Sequence, residues 1–181
     1  MTLRPATPQD IPQIIAIESL PEYRAFVGRW SEDRHLAALT GPDARYFVVD
    51  AAGTHPHGQP SAEIAAFAIL RGFAESSNAI ELKRIAVRTP HRGLGRKFLE
   101  ELIRIVFEDF RAHRLFLDVF ETNARARHLY ESLGFVYEGL WREAALVDGV
   151  YHSLCLMSIL DREYAARNAA FPDGRHENSP E

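Results

Sequence analysis

The sequence is poor in cysteine and has no long apolar run, and both shortages limit what the chain can be. Cys155 is the single cysteine among 181 residues, so an internal disulfide is excluded. No apolar segment reaches the length of about 20 residues that a membrane span requires. The start of the chain, Met1–Pro5, has no apolar signal-peptide core. We therefore expect a cytoplasmic protein without a membrane partner.

The sequence also lacks a strong excess of charge of either sign. Lys and Arg number 21 and Asp and Glu number 25, which gives a formal net charge of −4. This balance provides no general attraction for a polyanion, so nucleic acid is not expected as a partner. Metal binding is not expected either. His55 and His57 lie in a stretch rich in proline and glycine that predicts a surface loop.

Length and pattern indicate one mixed α/β domain with a sizeable core. We expect this domain at residues 1–164, followed by a polar, flexible tail at 165–181. Apolar spacing predicts helices that begin at Thr7, Ser31 and Gly93, of which the third reaches about His113, and a fourth helix that ends at Gly134. Alternating and apolar runs predict strands at 3–6, 45–50, 64–72, 79–87, 115–120, 135–142 and 150–160.

What the sequence does contain is a glycine turn between a predicted strand, 79–87, and a long amphipathic helix. Gly93 and Gly95 allow the backbone to approach a ligand closely. The first amides of the helix have no internal partners and lie at the positive end of its dipole. These features predict a pyrophosphate site. Its predicted residues are Arg92, Gly93, Leu94, Gly95, Arg96 and Lys97.

Three kinds of phosphate ligand compete for this turn. A P-loop needs a hydroxyl residue after its lysine, but Phe98 follows Lys97. The dinucleotide-binding fingerprint needs a third glycine, and Phe98 also occupies that position. An acyl-coenzyme A cradle is the third candidate, and a second motif downstream favours it.

The second motif runs from Asp118 to Phe135. A strand ends there, Thr122 or Asn123 caps a short helix, and Leu129-Tyr130 precedes Gly134. Together with the glycine turn, this order of elements resembles the GNAT superfamily of acyl-CoA-dependent N-acyltransferases. The resemblance covers roughly residues 3–160, and its specific part lies between 81 and 135. Stretches 26–30 and 138–142 resemble the subgroup with ribosomal-protein and polyamine acetyltransferases.

The resemblance implies the GNAT fold, a central mixed, mostly antiparallel sheet of about six to seven strands flanked by about four helices. It also implies acetyl-CoA as the cofactor. Two neighbouring strands are expected to splay apart, and the pantetheine arm is expected to pair with the freed edge. By position, that edge is Ile85, Ala86 and Val87, and Asn123 matches the family asparagine that contacts the arm. A homodimer is compatible with the resemblance.

The implied reaction moves an acyl group from a thioester directly to an amine. An alkyl ammonium has a pKa of about 10.4, so deprotonating it at neutral pH costs about 4–5 kcal/mol. A base must take that proton and an acid must protonate the leaving thiolate. We expect Glu81 as the base, with Asp118 and Glu121 as weaker candidates, and Tyr130 as the acid. The alternatives are a solvated strand-end glutamate and a core tyrosine.

The acceptor is expected between the first helix pair and the last hairpin. Aromatic and acidic side chains there suit a cationic amine, whereas arginines suit a carboxylate or a peptide, so a small-molecule and a peptide amine both stay open. A non-catalytic acyl-CoA sensor is the alternative function, and such a sensor needs neither Glu81 nor Tyr130. The candidate acceptor-binding residues are Glu22, Tyr23, Phe26, Trp30 and Trp141.

Overall fold

The computed structural model describes residues 3–23, 26, 29–51, 63–89 and 93–170. Within these residues the strands are β1 Leu3–Pro5, β2 Ala44–Asp50, β3 Ile64–Arg71, β4 Ala79–Val87, β5 Arg114–Phe120, β6 Val136–Val147 and β7 Val150–Leu160. The helices are α1 Ile11–Glu18, α2 Glu32–Thr40, α3 Leu94–Arg104, α4 Ala124–Ser132 and α5 Asp161–Ala170. The predicted strand bounds are confirmed to within one residue, except that β6 continues to Val147.

The strands form one sheet in the order β1-β2-β3-β4-β5-β7-β6. All neighbours are antiparallel except β4 and β5, which are parallel, so the expected mixed, mostly antiparallel sheet is confirmed. β4 and β5 pair over three residues only, from Ala79 opposite Arg114 to Glu81 opposite Phe116. Beyond Glu81 the two strands separate and the sheet opens.

A bulge marks the place where β4 leaves β5. Opposite β3, Leu82 pairs with Leu70 and Arg84 pairs with Ile69, so Lys83 is an extra residue in β4. A bulge of this kind bends a strand and redirects the side chains that follow. Leu82 accordingly belongs to the core under α3, whereas Ala86 belongs to the core under α1.

Two predicted chain segments differ from the structure. α3 ends at Arg104 and passes into a π-helical turn at Ile105–Asp109, so the helix predicted to reach about His113 is shorter. The predicted tail at 165–181 is wrong in its first part because α5 continues to Ala170. Residues 171–181 and the predicted loop at His55 and His57 lie outside the described residues.

Contacts distant in sequence hold α5 in place. The Tyr164 ring stacks on Phe107 at 4.8 Å, and the Arg167 guanidinium donates to the Ser132 carbonyl at 2.8 Å. None of the helices that the structure describes has the length and apolar composition of a membrane-crossing segment.

Candidate functional site

A cavity of about 1000 Å³ occupies the gap where β4 and β5 separate. Its walls are the end of β4, the start of α3, the end of β5, α4, β6 and the segment that follows α1. This volume suits a drug-sized or cofactor-sized ligand. Of the residues predicted from the sequence, those lining it are Glu22, Tyr23, Phe26, Ile85, Ala86, Val87, Gly93, Leu94, Gly95, Arg96, Asp118, Asn123, Tyr130 and Trp141.

Some predicted site residues lie elsewhere. Lys97 is exposed on α3 and Glu81 lies deeper, where β4 and β5 are still paired, and neither lines the cavity. Trp30 does not line the cavity either, because its ring packs against the Arg84 guanidinium at 4.3 Å, and its role at the acceptor stays a prediction. Arg92 lies outside the described residues.

The start of α3 has the properties expected of an anion site. Gly93 precedes the helix with a φ of +75°, a left-handed conformation that favours glycine. The amides of the first helical turn lack carbonyl partners within the helix. A Cβ added at Gly95 would lie 3.7 Å from the Val87 side chain, so a larger residue there would stand in the cavity wall beside the end of β4. These features fit the phosphates of coenzyme A.

Arg96 also lines the cavity, but its guanidinium is engaged by the protein. It donates to the Ser132 hydroxyl at 2.5 Å and to the Glu100 carboxylate at 3.2 Å. The arginine therefore ties α3 to the end of α4 and brings positive charge close to the helix start.

The free edge of β4 faces the cavity. The Arg88 amide donates to the Ala65 carbonyl at 2.7 Å, on the β3 side. Because backbone groups alternate along a strand, those of Val87 and Ile85 point the other way, toward the gap. At Val87 both groups meet the Tyr23 hydroxyl, which accepts from the amide and donates to the carbonyl, each at 2.9 Å.

Asn123 caps α4 from the wall of the cavity. Its side-chain oxygen accepts a hydrogen bond from the Ala126 amide at 3.1 Å. The predicted helix cap is therefore confirmed, and the residue also lines the cavity. The cap fixes the start of the helix that carries Tyr130.

Tyr130 lies on α4 with only 9% of its surface exposed, and it lines the cavity. Burial raises the pKa of its phenol, and the negative charge of Asp118 raises that pKa further. The phenol therefore keeps its proton at neutral pH. A protonated hydroxyl at the wall of a ligand cavity is suited to donating a proton.

The three candidate bases differ in their positions. The Lys83 ammonium donates to the Glu81 carboxylate at 3.0 Å and to the Asp118 carboxylate at 3.4 Å. Of the three, only Asp118 lines the cavity, and Glu121 is exposed outside it. Asp118 could be identified as a candidate from the sequence, because it is the one acid within the apolar run of β5.

Sequence reasoning missed the polar network behind the cavity wall. The Arg84 guanidinium donates to the Glu18 carboxylate at 2.6 Å, and the other Glu18 oxygen lies 3.2 Å from the His35 ring. All three residues are buried. Because these residues come from β4, α1 and α2, no local motif predicts the network. The network joins the cavity wall to the first helix pair.

A sheet that opens beside a helix start, with a tyrosine and a free strand edge in the gap, is the arrangement of an acyl-CoA-binding transferase. The sequence model of the Acetyltransferase (GNAT) family matches residues 11–135, more than half of the chain. The chain belongs to this family.

Curated relatives match parts of the chain. It is 32% identical over 87 residues to spermidine N(1)-acetyltransferase of Vibrio cholerae serotype O1, covering 47% of this chain and 50% of the relative. It is 40% identical over 48 residues to spermine/spermidine N(1)-acetyltransferase of Bacillus subtilis strain 168, covering 26% and 32%. YdaF of the same strain, whose name assigns it provisionally to ribosomal N-acetylation, is 30% identical over 80 residues, covering 44% of each chain. The match thus spans half or less of these relatives.

A solved structure extends the likeness to nearly the whole fold. A point mutant of the spermidine N-acetyltransferase SpeG from Vibrio cholerae superposes with a TM-score of 0.76 at 25% identity. The superposition covers 93% of this chain and 99% of SpeG. The expected GNAT fold is confirmed.

Proposed function

We propose that this chain is an acetyl-CoA-dependent N-acetyltransferase that moves the acetyl group directly from the thioester to a primary amine. One observation carries the proposal: the start of α3, the free edge of β4 and the phenol of Tyr130 meet in a single cavity. Family membership supports the same reaction. A sensor that only binds acyl-CoA would not need a buried, protonated tyrosine in that cavity, and no observation favours it.

The chain offers three sets of contacts to acetyl-CoA. The α3 amides from Leu94 to Arg96 suit the pyrophosphate. The backbone groups of Ile85 and Val87 that face the gap suit the amides of the pantetheine arm, as a neighbouring strand would. Asn123, at the start of α4, is proposed to contact the same arm. Acetyl-CoA would supply the activated acyl thioester.

Two side chains would move the protons. Tyr130 holds its proton at neutral pH and is proposed to donate it to the departing sulfur. Asp118 is proposed to accept the ammonium proton of the acceptor, because it lines the cavity and acts on the pKa of Tyr130. Glu81 shares Lys83 with Asp118 and does not line the cavity, and its predicted role as the base stays a prediction.

The acceptor is proposed to be a small primary amine or a peptide amine that enters between the segment after α1 and β6. Glu22, Tyr23 and Phe26 line one side of that entrance and Trp141 lines the other. The relatives named for spermidine and spermine make polyamines the first candidates. The relative whose name refers to ribosomal N-acetylation makes a peptide amine the second candidate.

A thiol-release screen tests this function. Purified protein is mixed with acetyl-CoA and one amine at a time: spermidine, spermine, amino acids, aminoglycosides and peptides with free N-termini. We expect free CoA to appear faster than the hydrolysis background with at least one class. If acetyl-CoA binds tightly but no amine accelerates thiol release, the sensor function replaces the transferase.

We also propose that the chain forms a homodimer through the β6–β7 hairpin, and the predicted cytoplasmic location stays a prediction. β6 is the last strand of the sheet, so its outer edge has no strand partner among the described residues. Antiparallel pairing of β6 with its own copy is compatible with two-fold symmetry. The exposed large hydrophobic residues on this hairpin are Val136, Tyr137, Leu140, Trp141, Leu146, Val150 and Tyr151.

A further inference from the structure

Tyr23 occupies the backbone edge that the cofactor arm is proposed to use. Its hydroxyl accepts from the Val87 amide and donates to the Val87 carbonyl, each at 2.9 Å. One hydroxyl thereby satisfies both free backbone groups of the last β4 residue, as a neighbouring strand would. The residue comes from the short 3₁₀ turn Pro21–Tyr23 and lies 64 positions away in the sequence.

The position of the Tyr23 ring agrees with a hydroxyl that takes the place of a neighbouring strand. Tyr23 lines the cavity between the separated strands. Burial raises the pKa of Tyr23 itself, so its hydroxyl keeps the proton that it donates to the Val87 carbonyl. A backbone amide has one hydrogen to donate. A ligand that takes the Val87 amide must therefore displace the Tyr23 hydroxyl.

We propose that Tyr23 is a positioning residue that is displaced when acetyl-CoA binds, and that this displacement rearranges the acceptor side of the cavity. The inference rests on the proposed function. Glu22 and Phe26 belong to the same segment and line the same cavity. Movement of Tyr23 therefore changes the wall that the amine must contact.

The test is a calorimetric titration of acetyl-CoA into three proteins: the parent, Tyr23→Phe and Tyr164→Phe. Tyr23→Phe keeps the ring but removes both hydrogen bonds that the ligand must break, so the Kd should fall about tenfold. Tyr164 donates to the Glu108 carboxylate at 2.6 Å and does not line the cavity, so Tyr164→Phe loses a hydrogen bond elsewhere and should match the parent. An unchanged or higher Kd in Tyr23→Phe would overturn the displacement.

Amide hydrogen exchange at Val87 supplies a second readout on the protein without ligand. The parent should protect this amide, and Tyr23→Phe should exchange it about tenfold faster. Saturating acetyl-CoA should restore protection in the variant. Equal exchange in parent and variant would show that Tyr23 does not hold the edge. If the parent itself fails to bind acetyl-CoA, the proposed function fails, whereas the exchange result still decides whether Tyr23 covers Val87.

Discussion

Tyr130 combines burial, a retained proton and a place in the cavity wall. Tyr130→Phe removes the proton and keeps the ring, which packs edge-on against Phe135 at 5.5 Å. We expect turnover to fall by about 10²-fold or more while the Kd for acetyl-CoA changes little. Steady-state kinetics with an identified acceptor, together with calorimetry, measure both quantities. A variant that turns over like the parent would make Tyr130 a packing residue.

The raised pKa of Tyr130 also predicts the alkaline behaviour of the parent. The phenol stays protonated above its ordinary pKa of about 10 because burial and the Asp118 charge disfavour the phenolate. The rate should therefore rise with pH as the amine loses its proton, without a falling limb below a pH of about 10. A pH–rate profile of the parent, measured with the same acceptor as the Tyr130→Phe kinetics, tests whether the falling limb is absent.

Asp118 and Glu81 are the two candidates for the base, and both carboxylates accept a hydrogen bond from Lys83. Asp118 lines the cavity and Glu81 does not, so Asp118→Asn should lose about 10²-fold in rate and Glu81→Gln should lose less. The Asp118→Asn variant should recover as the pH approaches the amine pKa of about 10.4, because the free amine then needs no base. The reverse ranking of the two variants would return the base role to Glu81.

The role of a residue could be predicted from the sequence where a local motif defines that role. It could not be predicted where the role depends on a partner that is distant in the sequence. Asn123 was predicted as a cap because the cap lies next to its helix. That Trp30 lies outside the cavity wall could not be predicted, because an aromatic residue near a site gives no sign of which side chain it packs on. The Arg84–Glu18 pair joins residues 66 positions apart, and no spacing rule connects them.

At the scale of elements, the separation of β4 from β5 and the glycine start of α3 form the site together. Gly95→Val should leave the fold intact and weaken acetyl-CoA binding by about tenfold or more, since the side chain would stand beside Val87 and keep the phosphates from the amides. Gly139→Val is the matched control, because a Cβ there meets nothing within 4 Å. Equal calorimetric affinities in a folded Gly95→Val variant and the parent would remove the phosphate assignment.

The strands of this fold can be predicted from local sequence patterns, whereas α5 cannot. The apolar-polar alternation Ile80-Glu81-Leu82-Lys83 in β4, followed by a turn, predicts a strand without knowledge of the rest of the chain. α5 is mostly polar, and its order comes from Tyr164 on Phe107 and from Arg167 on Ser132. Such contacts form only after the chain has folded, so the polar sequence predicted a tail.

At the scale of the whole molecule, the exposed apolar hairpin predicts self-association. Val150 and Tyr151 are 57% and 63% exposed and do not line the cavity. Light scattering after size exclusion should give a dimer for the parent and a monomer for Val150→Glu/Tyr151→Glu, because four charges would then face each other at the interface. Ala166→Glu, on exposed α5, is the control and should stay dimeric. A monomeric parent would exclude this interface.

The most direct test of the central claim is the fate of a labelled acetyl group. The parent is incubated with acetyl-CoA that carries an isotopic label in the acetyl group and with the best amine from the thiol-release screen, and mass spectrometry follows amine and protein. We predict that the label moves to the amine nitrogen, with one acetylated amine formed for each free CoA. Free CoA without acetylated amine, or bound acetyl-CoA that never turns over, would contradict the assignment of this chain as an N-acetyltransferase.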